Sequence, residues 1–200
     1  VARLIADELY KAGILKTNKL VETDRSGLVA QYIGQTAPMV NEKVKEAMGG
    51  VLFIDEAYNL YQKDAEKDFG VEAIATLVKA MEDYRGQFVV IFAGYKDEME
   101  EMLKYNPGLR SRVGYHFDFP NYTKEELKQI GQLIIKDLNY EITPAALDLV
   151  IEVVSSRIYE KTFANARDVR NILEQLLMIQ SERTLDDIEN RLIEEVDVRN

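Results

Sequence analysis

Two hundred residues with 46% hydrophobic and 30% charged content suffice for one good core, or a core plus a small satellite domain, and exclude a disordered chain. No apolar run approaches the roughly 20 residues of a membrane span, and the absence of cysteine excludes a disulfide framework, a thiolate metal site and a cysteine nucleophile. Acidic residues outnumber basic ones both before and after Asn121, with a net charge of −10, which counts against nucleic acid as the main partner; a cytoplasmic location away from membranes is expected.

Val1, Leu4, Ile5 and Leu9, with Ala2, Ala6 and Ala12, recur at helical spacing and predict a first helix that stops at Gly13. The pattern is already under way at Val1 with no leader ahead of it, so a natural N-terminus upstream is expected. A polar stretch runs to Gly34. A second helix is predicted from about Ala37 to Met48, with Pro38 in its first turn and Gly49-Gly50 ending it. Val51-Leu52-Phe53-Ile54 is a continuous apolar run of the kind buried on both faces of a parallel sheet. A helix over about 71–84 leads to a second such run at 88–92, making a β-α-β unit. Another helix over 96–104 leads to a third candidate strand at 115–119, closed by Pro120.

Beyond Pro120 the strand signals nearly vanish. Thr123 with Glu126 makes a capping box, Thr143 is an N-cap before Pro144, and Asn165 caps a helix running to about Arg183. Residues 185–200 read as a solvated terminal element. The division is placed at Asn121-Tyr122, with an α/β part over 1–121 and an all-helical part over 122–200.

The strand end Asp55-Glu56 puts two carboxylates at the carboxyl edge of a buried parallel strand, where open α/β sheets bind ligands. An Asp there can hold Mg²⁺ through water, and an adjacent Glu can polarise an attacking water for phosphoryl transfer. These six residues alone are equally consistent with a buried strand that simply ends in exposed acids.

The company those residues keep is more specific. Through Gln31-Tyr32-Ile33-Gly34, Gly49-Gly50-Val51-Leu52-Phe53-Ile54-Asp55-Glu56-Ala57-Tyr58, Ala93-Gly94-Tyr95-Lys96, Asn106-Pro107-Gly108-Leu109-Arg110-Ser111-Arg112 and Asn165-Ala166-Arg167-Asp168-Val169-Arg170-Asn171, the chain resembles a branch of the AAA+ ATPases. That branch holds stage V sporulation protein K and the red-type rubisco activases. The resemblance covers the whole chain, with the motifs in family order and spacing.

It implies an AAA+ P-loop-type parallel sheet flanked by helices, incomplete at its N-terminus, followed by a small helical lid. In such proteins a Gly-rich loop ending in Gly-Lys-Thr-Thr directly precedes a helix like the first one here, so Val1 is expected to sit just past that loop. The loop supplies a nest of backbone N–H groups, the phosphate lysine and the Mg²⁺ hydroxyl. The 200 residues alone are therefore expected to bind ATP poorly and not to hydrolyse it.

By the same resemblance Asp55 is the Walker B ligand of Mg²⁺ through water and Glu56 the catalytic base. Arg112 resembles the arginine finger presented to a neighbour's ATP, which implies a homo-oligomeric ring, expected as a hexamer; a surface Arg paired with an acid is the alternative. Arg167 resembles the sensor 2 arginine, with Arg170 as an alternative on the same helical face. Tyr32-Ile33-Gly34 resembles the pore loop that grips a polypeptide, against the alternative of a buried Tyr under a turn, and residues 62–68 are placed like a second pore loop. The strand at 88–93 departs from the family pattern, since Gly94-Tyr95 stands where an Asn, Thr or Ser would orient water; the Tyr95 hydroxyl is the candidate. His116 has no cluster of metal-ligand spacing and reads as a strand residue.

The leading expectation is an ATP- and Mg²⁺-dependent ring ATPase that remodels a protein partner, leaning toward the sporulation type. A non-catalytic scaffold module, a red-type rubisco activase and a DNA-handling module are the alternatives.

Overall fold

The computed structural model describes residues 1–62, 68–160, 163–185, 187 and 189–199. They form two compact units, Val1–Asp118 and Phe119–Asn200.

In the first unit, α1 (Ala2–Lys11), β1 (Leu20–Thr23), α2 (Thr36–Ala47), β2 (Val51–Ile54), α3 (Gly70–Asp83), β3 (Val89–Phe92), α4 (Lys96–Tyr105) and α5 (Pro107–Arg112) follow in order. The three strands make one parallel sheet with β2 in the centre; Ile54 stands opposite Thr23 on one side and Phe92 on the other. Alternation along β2 divides the core. Leu52 and Ile54 face Val40, Val44, Ile74 and Leu77 of α2 and α3, whereas Val51 packs with Ala6, Leu9 and Leu15. The central strand is thus covered on both sides, as its unbroken apolar run requires.

The α1 face is narrower than its composition implies. Ala2, Ile5, Ala6 and Leu9 turn inward, but Val1 and Leu4 are exposed. The polar stretch after α1 contains β1, which carries only two apolar residues and gives no periodic signal. The segment 115–119 forms no strand. Tyr115, Phe117 and Phe119 are largely exposed, and no described strand pairs with them. An alternating pattern supplies a strand's faces but not its hydrogen-bonding neighbour, and His116 shares the segment's exposure.

In the second unit, α6 (Lys124–Asp137), α7 (Pro144–Ser156) and α8 (Ala166–Arg183) enclose a core of Leu127, Ile135, Leu147, Val150, Val154, Val169 and Leu173. The Thr123–Glu126 capping box and the Thr143 cap are both formed. Asn165 occupies the N-cap position of α8 without capping it. At φ 53° its side chain instead accepts from the Tyr122 N–H and donates to Asn121 Oδ1.

The end of the chain is also more ordered than a solvated tail. β5 (Leu192–Ile193) pairs in parallel with β4 (Glu141–Ile142), and α9 (Glu195–Arg199) follows. Ile193 and Asp197 are fully buried, and Arg183 Nε donates to Asp197 Oδ1 at 2.7 Å while its Nη2 donates to Oδ2 at 3.0 Å. Charged residues outnumber apolar ones here, so composition alone conceals two inward-facing positions. Among the described residues no helix is long and apolar enough to cross a membrane.

Candidate nucleotide site

The carboxyl end of β2 is pinned on both sides. The Asp55 N–H donates to the Thr23 carbonyl at the end of β1, and the Ala57 N–H to the Ala93 carbonyl beyond β3, at 2.8 and 2.9 Å. Between them Glu56 adopts a left-handed conformation, φ 45° and ψ 44°, and the chain turns at once into a short 3-10 helix, Ala57–Leu60. A non-glycine residue held there costs on the order of 1 kcal/mol, which the two strand-end hydrogen bonds and the burial of Ala57 and Leu60 offset.

Asp55 and Glu56 are both exposed on an open cleft, lined also by Glu22, Thr23, Asp24, Ser26, Gly27, Lys43 and Phe53. Asp55 Oδ1 accepts from the Glu56 N–H at 3.0 Å. Its Oδ2 has no protein donor among the described residues. Glu56 Oε2 accepts from Asn59 Nδ2 at 3.1 Å. Asp24 is committed to the cleft wall: the Ser26 hydroxyl above all, then the Gly27 and Ser26 N–H groups, hold its carboxyl below the ordinary range against a smaller push from burial.

This donor set fits Mg²⁺ better than a caged metal. No group of three or more His, Asp or Glu side chains among the described residues converges on a metal position. Magnesium keeps most of its waters and takes one or two carboxylates together with substrate phosphates, and a single Asp with an unshared oxygen on an open cleft provides that. The phosphate-gripping half is a different matter, since the sequence contains no Gly-x-x-x-x-Gly-Lys-[Ser/Thr].

Tyr95 follows β3 at the start of α4 and is 65% exposed, its ring 6.0 Å from that of Tyr58. Gly94 gives the two rings room, because a Cβ there would press on the Tyr58 ring and Met99. Burial, followed by the charges of Glu56, Tyr95, Glu98 and Asp55, pushes the Tyr58 hydroxyl above its ordinary range, so it remains a neutral donor beside the acid pair.

Arg112, on α5, is held within its own unit. Nη2 donates to Glu82 Oε2 of α3 at 3.0 Å, Nη1 donates to the Gly108 carbonyl at 3.1 Å, and Nε is buried without an acceptor. Arg167 belongs to the second unit, where it is exposed in the first turn of α8, while Arg170 pairs with Glu174 at 3.7 Å. Tyr32 and Ile33 are 68% and 87% exposed ahead of α2, in a turn that Gly34 closes at φ +81°. That exposure sets aside a Tyr buried beneath the turn. The second candidate pore loop falls mostly on 63–67, outside the described residues.

Arg25 and Asn59, which carry no sequence signal, join the site together with Asp68, the last residue of the second candidate pore loop. Arg25 bridges Asp68 and the Asn59 carbonyl, and Asn59 contacts Glu56. Their separations of 34 and 43 positions lie beyond any local spacing rule.

Comparison with known proteins agrees with this geometry. Residues 1–121 match the family described as "ATPase family associated with various cellular activities", and residues 123–199 match the AAA lid domain. The chain is 48% identical over 183 residues to the chloroplastic ribulose bisphosphate carboxylase/oxygenase activase of Cyanidioschyzon merolae, covering 92% of this chain and 62% of that protein. It is 45% identical over 198 residues to a CfxQ homolog of Galdieria sulphuraria, covering 99% and 65%, and 44% identical over 187 residues to the chromosomal CbxX protein of Cupriavidus necator, covering 94% and 59%. The chain therefore spans under two thirds of the length of these relatives.

Among solved structures it resembles the Thermotoga maritima RuvB Holliday junction branch migration motor, with TM-score 0.66 at 23% identity over 99% of this chain and 54% of that one. It also resembles domain III of the Thermotoga maritima replication initiation protein DnaA, with TM-score 0.64 at 15% identity over 94% of this chain and 72% of that one. At such identities these likenesses speak for the fold alone: an AAA+ P-loop fold, with a parallel sheet flanked by helices and a helical lid after it. The chain belongs to the AAA family of ATPases.

Proposed function

We propose that this chain is the greater part of a Mg²⁺-dependent AAA+ ring ATPase that remodels a protein partner, in the manner of a red-type rubisco activase. The observation that carries the ATPase reading is the pair Asp55 and Glu56, held by two backbone hydrogen bonds at the carboxyl end of the central parallel strand and open to a cleft. The partner class is supported by the 48% identity to a rubisco activase. The relatives named above are a rubisco activase, a CfxQ homolog and a CbxX protein, so the rubisco-directed reading takes precedence over the sporulation type.

Residues 1–121 serve as the ATPase core and 122–200 as its lid. Asp55 would hold Mg²⁺, and Glu56 orients the attacking water and accepts its proton. The ion would supply charge neutralisation between phosphate oxygens. Tyr95, which follows β3 with its ring 6.0 Å from that of Tyr58, is assigned the role of helping to fix the water through its hydroxyl. Arg112 serves a neighbouring subunit's γ-phosphate, which requires it to leave Glu82; Arg167 reaches the nucleotide from the lid. Tyr32, Ile33 and Gly34 grip the partner polypeptide with an exposed ring on a bendable turn.

The test is steady-state ATPase activity of the chain with a phosphate-binding loop added upstream of Val1. Mg²⁺-dependent turnover is expected, with Glu56→Gln retaining nucleotide and losing hydrolysis. The 200 residues alone should show none. Turnover by Glu56→Gln refutes the base assignment, and a failure to activate ribulose bisphosphate carboxylase/oxygenase refutes the partner class without touching the ATPase reading.

A further inference from the structure

One polar chain reaches Glu56 from across the first unit. Arg25 stands in the turn after β1, its side chain 27% exposed, and donates from Nη2 to Asp68 Oδ1 and from Nη1 to the Asn59 carbonyl, both at 2.6 Å. Asp68 is 3% exposed and also accepts from the Gly70 and Gln62 N–H groups. Asn59 is thus fixed twice through its backbone: its N–H donates to the Glu56 carbonyl at 2.9 Å and its carbonyl accepts from Arg25. From that fixed backbone its Nδ2 donates to Glu56 Oε2.

We infer that Arg25 and Asn59 are positioning residues for Glu56, the Asn59 amide occupying Oε2 so that Oε1 is presented to water, and Arg25, anchored on Asp68, holding the backbone from which that amide acts. The inference rests on the reading of Glu56 as the base. An exposed Glu on a flexible stem samples several rotamers, and a base works only within hydrogen-bond reach of its proton. Amide donation to one oxygen selects among those rotamers. Arg25 suits its part because a guanidinium offers two donors in a rigid fork, one for a carboxylate and one for a carbonyl. A lysine offers its donors from one rotatable ammonium rather than from a planar fork, and so fixes the two acceptors less firmly.

The experiment uses the chain with a phosphate-binding loop added ahead of Val1 and compares Asn59→Ala, Arg25→Lys and the double variant. Rates are expressed per subunit loaded with fluorescent ADP, so that misfolded protein does not count. Each single change should lower kcat about 10-fold while KM for ATP stays within about twofold. The double variant should be no slower than either, because both act through one hydrogen bond. Singles at the parental rate, or effects that multiply in the double variant, overturn the inference. Glu56→Gln measured alongside separates the two readings. If it turns over, the base assignment falls and takes the inference with it; if it is dead while the singles are unaffected, only the positioning role falls. An inactive parent protein overturns both.

Discussion

Arg112 donates to the Glu82 carboxylate at 3.0 Å, so the candidate finger is tethered to α3 of its own unit. The two side chains are 30% and 57% exposed, and a pair at that exposure is worth less than about 1 kcal/mol. The tether is weak enough to exchange for a neighbour's phosphate. Glu82→Ala should therefore lower unfolding free energy by under about 1 kcal/mol in denaturant titration, whereas Arg112→Ala in the assembled ATPase should cut turnover about 10³-fold. Full turnover by Arg112→Ala would remove it from the mechanism.

The Arg183–Asp197 pair sets an acid limit on the second unit. Burial pushes the Asp197 carboxyl up, but the hydrogen bond from Arg183, the Glu194 N–H and the Arg183 charge together outweigh it and hold it below the ordinary range. Asp68 shows the same balance with burial opposed by Arg25, the Gly70 N–H and the Gln62 N–H. A folded value below the unfolded one gives stability that is complete above about pH 4 and is lost as the pH falls through the lowered folded value. Asp197→Asn should flatten that acid limb and cost about 3 kcal/mol at neutral pH. Denaturant unfolding at stepped pH measures both, and an unchanged acid limb would contradict the assignment.

Two glycines differ in how much an added Cβ should cost. A Cβ on Gly70 would overlap the Leu60 carbonyl oxygen and crowd Arg25 Nη1, so Gly70→Ala should destabilise by about 2–3 kcal/mol. At Gly34 there is open space around an added Cβ and only the positive φ to oppose it, so Gly34→Ala should cost about 1 kcal/mol. Thermal unfolding of the two variants decides the order.

Tyr32 is 68% exposed, and its truncation should leave stability within about 0.5 kcal/mol. Stimulation of ATPase activity by the protein partner should nevertheless be lost in Tyr32→Ala. Normal stimulation would place the grip on the partner elsewhere.

Elements whose signal is local were legible in the sequence. The unbroken run Val51 to Ile54, the Thr123 capping box and Thr143 before Pro144 all fold as their chemistry dictates. What escaped depends on distant partners. β1 is a strand because Leu20 and Val21 lie beside Val51 and Leu52, and 115–119 is not one despite its alternation, because no described strand lies alongside it. Asn165 marks the helix start but hydrogen-bonds Asn121 and Tyr122, 44 and 43 positions away. At the candidate site the acid pair was legible from its strand, whereas Asn59, Arg25 and Asp68 acquire meaning only once the turn after β2 meets the turn after β1.

The two-residue ladder between β4 and β5 also bears on the order of events during synthesis. Its partners are separated by about fifty residues, so closing it comes late relative to the local turns of α6, α7 and α8. Until Ile193 arrives, the apolar faces gathered around Leu147, Val150 and Leu173 lack their final covering. A ribosome pausing between α8 and β5 would thus expose a sticky, half-assembled lid, the interval in which a chaperone has most to do.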